Sequence, residues 1–251
     1  MSYPKSASLK PFSMRIMSLS ERYRFLRSEL DRLLICSMSF SCLLAVYRVI
    51  HTHHSHFLFL VWNLFLALIP YALSGWLTLF RRETGRIPRI LIAAVWLLFI
   101  PNTFYILTDL YHLGDGYNDH GVPQWFDLIM ILSFAWNGLL LGILSIRQME
   151  KLVLPWMIVH GWAMRRRGGK GNAWLFVYPI MWLNALGVYT GRYLRFNSWE
   201  IVSNPFRLLG DITGMIIHPL RNHYAWDMIF CFSILMTLMY LMMKRMSEAL
   251  L

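Results

Sequence analysis

Charge is scarce in this chain, and acid is scarcer than base. Only 15% of its 251 residues are charged and 57% are hydrophobic, where a soluble domain carries about 25% and about 45–50%. That shortage excludes an ordinary soluble globular domain. Glycine and proline, at 15 and 10 residues, are too few for a disordered or collagen-like chain. The three cysteines, Cys36, Cys42 and Cys231, lie inside apolar runs. They show no metal or redox spacing and read as buried, inert thiols. There is no P-loop, no HExxH, no GxSxG and no carboxylate pair that marks a known hydrolase. These absences exclude the common soluble enzymes. They do not touch membrane enzymes, whose sites assemble from several helices.

Long apolar runs are what the chain has instead. Six stretches, roughly 33–50, 57–80, 90–110, 127–146, 173–190 and 225–243, reach the length that crosses a bilayer. A seventh, 152–163, is too short and reads as interfacial. The expectation is an all-α polytopic membrane bundle of about six transmembrane helices. Residues 1–32 form a basic tail and 33–246 a single transmembrane domain. No small-residue cleavage site follows the first apolar run, which reads as an uncleaved anchor.

Placing the charges gives the orientation. Nineteen of the 24 lysines and arginines fall in the tail, the second-to-third and fourth-to-fifth loops, and the C-terminus. The opposite side holds Arg48, Arg192, Arg195, Arg207 and Arg221. By the positive-inside rule both termini are expected to be cytoplasmic in a multi-pass cell-membrane protein. The net charge of +11 therefore marks loops at a membrane surface, and nucleic acid is excluded as a partner. In the tail, Ile16, Leu19, Tyr23, Leu26, Leu30 and Leu33 recur at helical spacing with arginines between them. That pattern suits an interfacial helix on anionic lipid at the cytoplasmic face, and less well a short coiled coil.

The candidate chemistry gathers at the other side. In Pro101–His112, a helical projection puts Asn102, Tyr105, Thr108, Asp109 and His112 within one sector of roughly 120°. Pro101 cannot donate a hydrogen bond to Leu97, which predicts a kink. Asp109, His112 and Asp127 are the candidate acid–base groups. Arg192, Arg195, Asn197, Ser198, Trp199, Glu200 and Asp227 are further candidate binding residues. Asn184, Gly187, Gly191 and Arg195 share a face, so Arg195 is expected to point inward at Asp109, Asp127 or Asp227. The face Gly138, Gly142 and Ser145 reads as packing alone. The tract His51–His56 lacks the fixed geometry of a metal site, and no metal or cofactor is implied.

The stretches WLLFIPNTFYILTDLYHL (96–113), Trp125-Phe126-Asp127, SFAWNGLLLGILS (133–145) and GVYTGRYLRFNSWE (187–200) resemble an uncharacterised bacterial family of predicted membrane proteins with a domain of unknown function. The likeness runs over roughly 57–243. Thr103-Phe104 stand where the family pattern has Ala-Pro, so the second proline of the kink is missing. The resemblance implies the membrane fold and these residues, and it brings no activity. Three functions follow from the residues. One is assembly or scaffolding, with a purely structural polar cluster. Another is an enzyme or binding protein for a small anionic or lipid-linked substrate. The third is a transporter of a small solute, suggested by Pro70, Pro101 and Pro179 and by midspan Asn63, Asn137 and Asn184.

Overall fold

Inside hydrocarbon a chain must satisfy its own backbone groups, and a helix does so within one segment. The computed structural model describes residues 29–80, 83–114, 122–160, 174–196 and 203–249. Among these the regular structure is all helical, without a strand. In chain order α1 is Glu29–Thr52, α2 Phe59–Leu79 (entered through a 3-10 turn, His56–Leu58), α3 Arg86–Phe99 and α4 Pro101–Tyr105. A 3-10 segment, Ile106–Gly114, follows. Then come α5 Gln124–Val159, α6 Trp174–Arg192, α7 Pro205–Ile217 and α8 His223–Ala249.

Among the described residues five helical stretches are long and apolar enough to cross a membrane: Glu29–Thr52, His56–Leu79, Arg86–Leu113, Gln124–Val159 and His223–Ala249. The span expected at 173–190 forms as α6. Its 19 residues reach about 28 Å at 1.5 Å per residue. With Pro179 and Asn184 in its interior it does not match the hydropathy of the other five. The interfacial segment expected at 152–163 is not separate, because α5 carries straight on through Pro155 to Val159.

α5 is the central post. On one side Leu34, Leu60, Leu64, Ala67 and Tyr71 of α1 and α2 pack against Ile131, Phe134 and Leu141. On the other, Val177, Met181, Ala185 and Val188 of α6 meet Ile229, Met236 and Tyr240 of α8 around Ile143 and Ile146. Apolar side chains such as Trp62, Ile90, Trp136 and Phe230 lie exposed around the outside, the surface expected of a protein solvated by lipid. Cys36 and Cys231 belong to that surface and not to the core, and only Cys42 is half-buried. In a bilayer an apolar run has no preferred inner face, so hydropathy does not reveal which cysteine turns inward.

Side-chain contacts order the helices up and down. Arg48 near the end of α1 meets Asp127 at the start of α5, and Asn63 early in α2 meets Asp109. These contacts define one end of the bundle, the cluster end. At the opposite end Asp31 of α1 accepts from Tyr71 of α2, Ser74 donates to Gln148, and Glu150 of α5 holds Lys244 and Tyr240 of α8. Glu29 and Ala249 therefore share that opposite end.

The connection between the expected spans 173–190 and 225–243 contains a helix, α7. Pro205 opens it, and Leu208 and Met215 are buried while Trp226 of α8 donates to the Met215 carbonyl at 3.2 Å. The Asn204-Pro205 start and the Leu208, Ile212, Met215 spacing were its signals.

Candidate functional site

Pro101 breaks the third span in two. α3 ends at Phe99, and after Ile100 the chain restarts as α4. Asn102 Nδ2 donates to the Phe99 carbonyl at 3.0 Å, and Thr103 Oγ1 donates to that of Ile100 at 2.8 Å. The Phe99 carbonyl thus gains a side-chain donor at the interruption, and that of Ile100 takes Thr103 Oγ1 beside the Thr103 backbone N–H at 3.1 Å. Two glycine faces grip the broken segment. A Cβ on Gly142 would sit 2.4 Å from Thr103 Oγ1, and one on Gly187 would sit 2.6 Å from Pro101 Cβ. The two small faces legible in α5 and α6 thus close on the same five residues, α4, which only glycine lets them approach so nearly. Ser145, expected to pack and nothing more, also bonds. It accepts from Trp96 Nε1 at 2.8 Å and lies 2.9 Å from the Pro70 carbonyl.

From Ile106 the periodicity changes from 3.6 to 3 residues per turn. This alters the site. Side chains three apart now eclipse one another, so Asp109 and His112 project along one row, while Thr108 is buried and donates to the Tyr105 carbonyl at 2.7 Å. The single polar face drawn from an α-helical projection does not survive. A 3-10 run of nine residues is uncommonly long, since such runs seldom exceed about four.

Asp109, only 1% exposed, accepts from Asn63 Nδ2 at 2.9 Å through Oδ2. Its Oδ1 lies 3.5 Å from Arg192 Nη1 and has no hydrogen bond to a described residue. Both Arg192 Nη atoms lie 3.3 Å from His112 Nε2, and the guanidinium sits 5.5 Å from the Tyr111 ring centre. A guanidinium can only donate, so His112 accepts there. The His112 ring in turn meets Phe59 and His56 edge-on, at 5.1 and 6.3 Å. Tyr105 is half-buried beneath Gly191.

Two expected partnerships are corrected. Arg195 does not point inward. It is exposed, in a turn after α6 with φ 57°, and Arg192, a turn earlier in the helix, meets Asp109 instead. The chain leaves the helix at Arg192, so the face extrapolated from Gly187 and Gly191 ends before position 195. Asp127 belongs to Arg48, whose Nε and Nη2 donate to its Oδ1 and Oδ2 at 2.6 and 2.9 Å. Phe57 lies 4.2 Å below that guanidinium, and both charged residues are buried. Arg48 entered the sequence reading only as a loop charge. Its place in the last turns of an apolar span was the signal, because a charge there demands a partner. Asp227 is exposed just beyond the first turn of α8 and makes no ion pair with a described residue. Asn197, Ser198, Trp199 and Glu200 lie outside the described residues.

The histidine tract disperses. His51 stacks on Tyr47, His53 takes φ 59° past the end of α1, and His56 joins the aromatic wall beside His112. Among the described residues no three His, Cys, Asp or Glu side chains gather as a metal site. Asn137 bonds Ser41 across α5 and α1, while both amide atoms of fully buried Asn184 lack a partner among the described residues.

Neither a curated protein nor a solved structure matches this chain. One family model does, over residues 62–241, which takes in α2 through most of α8 and both glycine faces. The chain therefore belongs to the family described as protein of unknown function (DUF1361).

Proposed function

We propose that this membrane protein binds a small anionic or lipid-linked substrate at the cluster end of its bundle, with Arg192 as the anion contact. Asp109 and His112 hold the guanidinium and are the groups placed to move a proton. With both termini cytoplasmic, as the charge count predicts, the site faces outward in a multi-pass cell-membrane protein.

The contrast between two ion pairs in one molecule carries this reading. Arg48–Asp127 is closed, with side chains 1% and 4% exposed and both carboxylate oxygens bonded. Arg192–Asp109 is open. The arginine side chain keeps 18% exposure, the separation is 3.5 Å, and one buried carboxylate oxygen has no hydrogen bond to a described residue. A lock between helices has no use for that slack, since an unsatisfied buried oxygen costs about 1–3 kcal/mol or more. A site that exchanges a carboxylate for a substrate anion does.

The second reading is a purely structural cluster in an assembly protein. Its support is Asn63, which ties Asp109 to α2 as a packing bond would. The two separate in purified protein by thermal stability with inorganic phosphate, pyrophosphate or a short-chain phosphatidic acid added. Binding expects stabilisation of the wild type by at least one of them. Arg192→Gln should lose that response and keep its unliganded Tm within a few degrees. If Arg192→Gln unfolds early and no anion stabilises the wild type, the cluster is a lock and the binding site is refuted.

A further inference from the structure

At the opposite end of the bundle, the start of α3 and the end of α5 enclose an open groove of about 540 Å³. That volume lies within the range of small-molecule sites, about 300–1,000 Å³. Its walls are apolar, with Ile90 from α3 facing Val153 and Trp156 from α5. Its mouth is cationic or polar: Arg86 and Arg89 project from the first turn of α3, and His160 closes the far lip. Arg89 Nε reaches the Gly85 carbonyl at 3.3 Å, and His160 folds onto the Trp156 ring at 4.4 Å with Nδ1 2.9 Å from that residue's carbonyl. Neither arginine makes an ion pair with a described residue. The groove has no part in the cluster around Arg192.

We infer that this groove is a site for one anionic phospholipid, whose phosphate lies between Arg86 and Arg89 while an acyl chain fills the trough along Ile90, Val153 and Trp156. Charge and shape select the occupant together. Two guanidiniums three residues apart on one helical turn match a phosphate, and the apolar trough opens toward the exposed lipid-facing surface of Ile90 and Trp156. A tryptophan at that level is where aromatic side chains settle between headgroups and acyl chains. A second copy of the chain suits the groove poorly, because a two-fold contact would set the cationic mouths against each other. Among the described residues at this end, Arg32, Arg86, Arg89, Arg147, Lys151, Lys244 and Arg245 outnumber Glu29, Asp31, Glu83, Glu150 and Glu248, so the surrounding field favours the same sign of lipid. The site is distinct from the interfacial helix expected in the N-terminal tail.

Native mass spectrometry of the full-length protein tests it, with dioleoyl-phosphatidylglycerol and dioleoyl-phosphatidylcholine added in equal amounts. Wild type should retain one phosphatidylglycerol in preference to phosphatidylcholine. At the strength of basic residues beside an anionic bilayer, Arg86→Gln with Arg89→Gln should weaken that retention by about 30-fold. Val153→Trp should fill the trough and reduce both lipids. Lys151→Gln, an exposed cation at the same end but outside the groove, should change nothing. Each variant is first checked for a monodisperse profile and an unshifted Tm, which these exposed or half-buried positions should keep. Equal retention of the two lipids would overturn the assignment. So would an unaffected double arginine variant, or a loss with Lys151→Gln as large as that of the double variant.

Discussion

Removing Arg48 should cost this protein more than removing its ion pair altogether. The pair is bidentate at 2.6 and 2.9 Å, with the arginine 1% and the aspartate 3% exposed, at the join between α1 and α5. Arg48→Met leaves a carboxylate with neither donor nor water, and breaking a buried pair in this way typically costs about 3–5 kcal/mol. Asp127→Asn is milder. The amide oxygen still accepts one guanidinium bond, and the Phe57 face at 4.2 Å keeps its attraction for the charge. A loss of about 2–3 kcal/mol follows from one charge-assisted bond removed. The double variant Arg48→Met, Asp127→Asn leaves no charge uncompensated and should cost less than Arg48→Met alone, falling short of the sum by about 3 kcal/mol. Reversible unfolding in mixed detergent micelles measures all three. Native domains hold only about 5–15 kcal/mol in total, so the single variants should shift the midpoint visibly. Losses that add to within about 0.5 kcal/mol would show that the two charges act independently. The clasp would then be refuted, and with it the contrast on which the open Arg192–Asp109 site rests.

Gly142→Ala should destabilise by about 1–3 kcal/mol through overpacking, because its Cβ would meet Thr103 Oγ1 at 2.4 Å. Gly210→Ala, inside α7 with nothing within 4 Å, is the control and should be neutral or stabilising by up to about 1 kcal/mol in the same thermal melt. Arg195→Gln should leave both stability and anion response at wild-type values, and a loss equal to that of Arg192→Gln would restore the partner assignment corrected above. Cysteine probes at Leu220 and Glu83, in a variant without native cysteines, should label from outside and from inside respectively. The reverse pattern would invert the bundle and put the Arg192 site in the cytoplasm.

The helices and their class were legible because lipid imposes a simple rule. A backbone in hydrocarbon must be helical, and a helix must be about 20 residues long to cross it. Apolar runs reveal that directly, and five long apolar helices among the described residues agree with it. The rule says nothing about rotation, which is why Cys36 and Cys231 were misplaced as buried. The break at Pro101 was also readable, since a missing N–H is a local fact.

Partner choice was not readable, because it depends on where helices end and how they turn against one another. Arg195 and Arg192 are three residues apart. Only the termination of α6 at Arg192 decides which of them remains on the inner face. Likewise Arg48 and Asp127 are 79 positions apart, and nothing local to either names the other. The switch to a 3-10 backbone after Tyr105 is itself tertiary. Gly138 lies so close that a Cβ there would be 2.7 Å from the Thr103 carbonyl oxygen and 2.9 Å from Ile106 Cδ1, and Gly191 closes over Tyr105. Composition thus determined that this chain enters a membrane as helices with polar residues gathered on the segment after Pro101. Close packing against four glycines decided which charges meet there, because helix rotation and backbone winding are set by contacts and not by hydropathy.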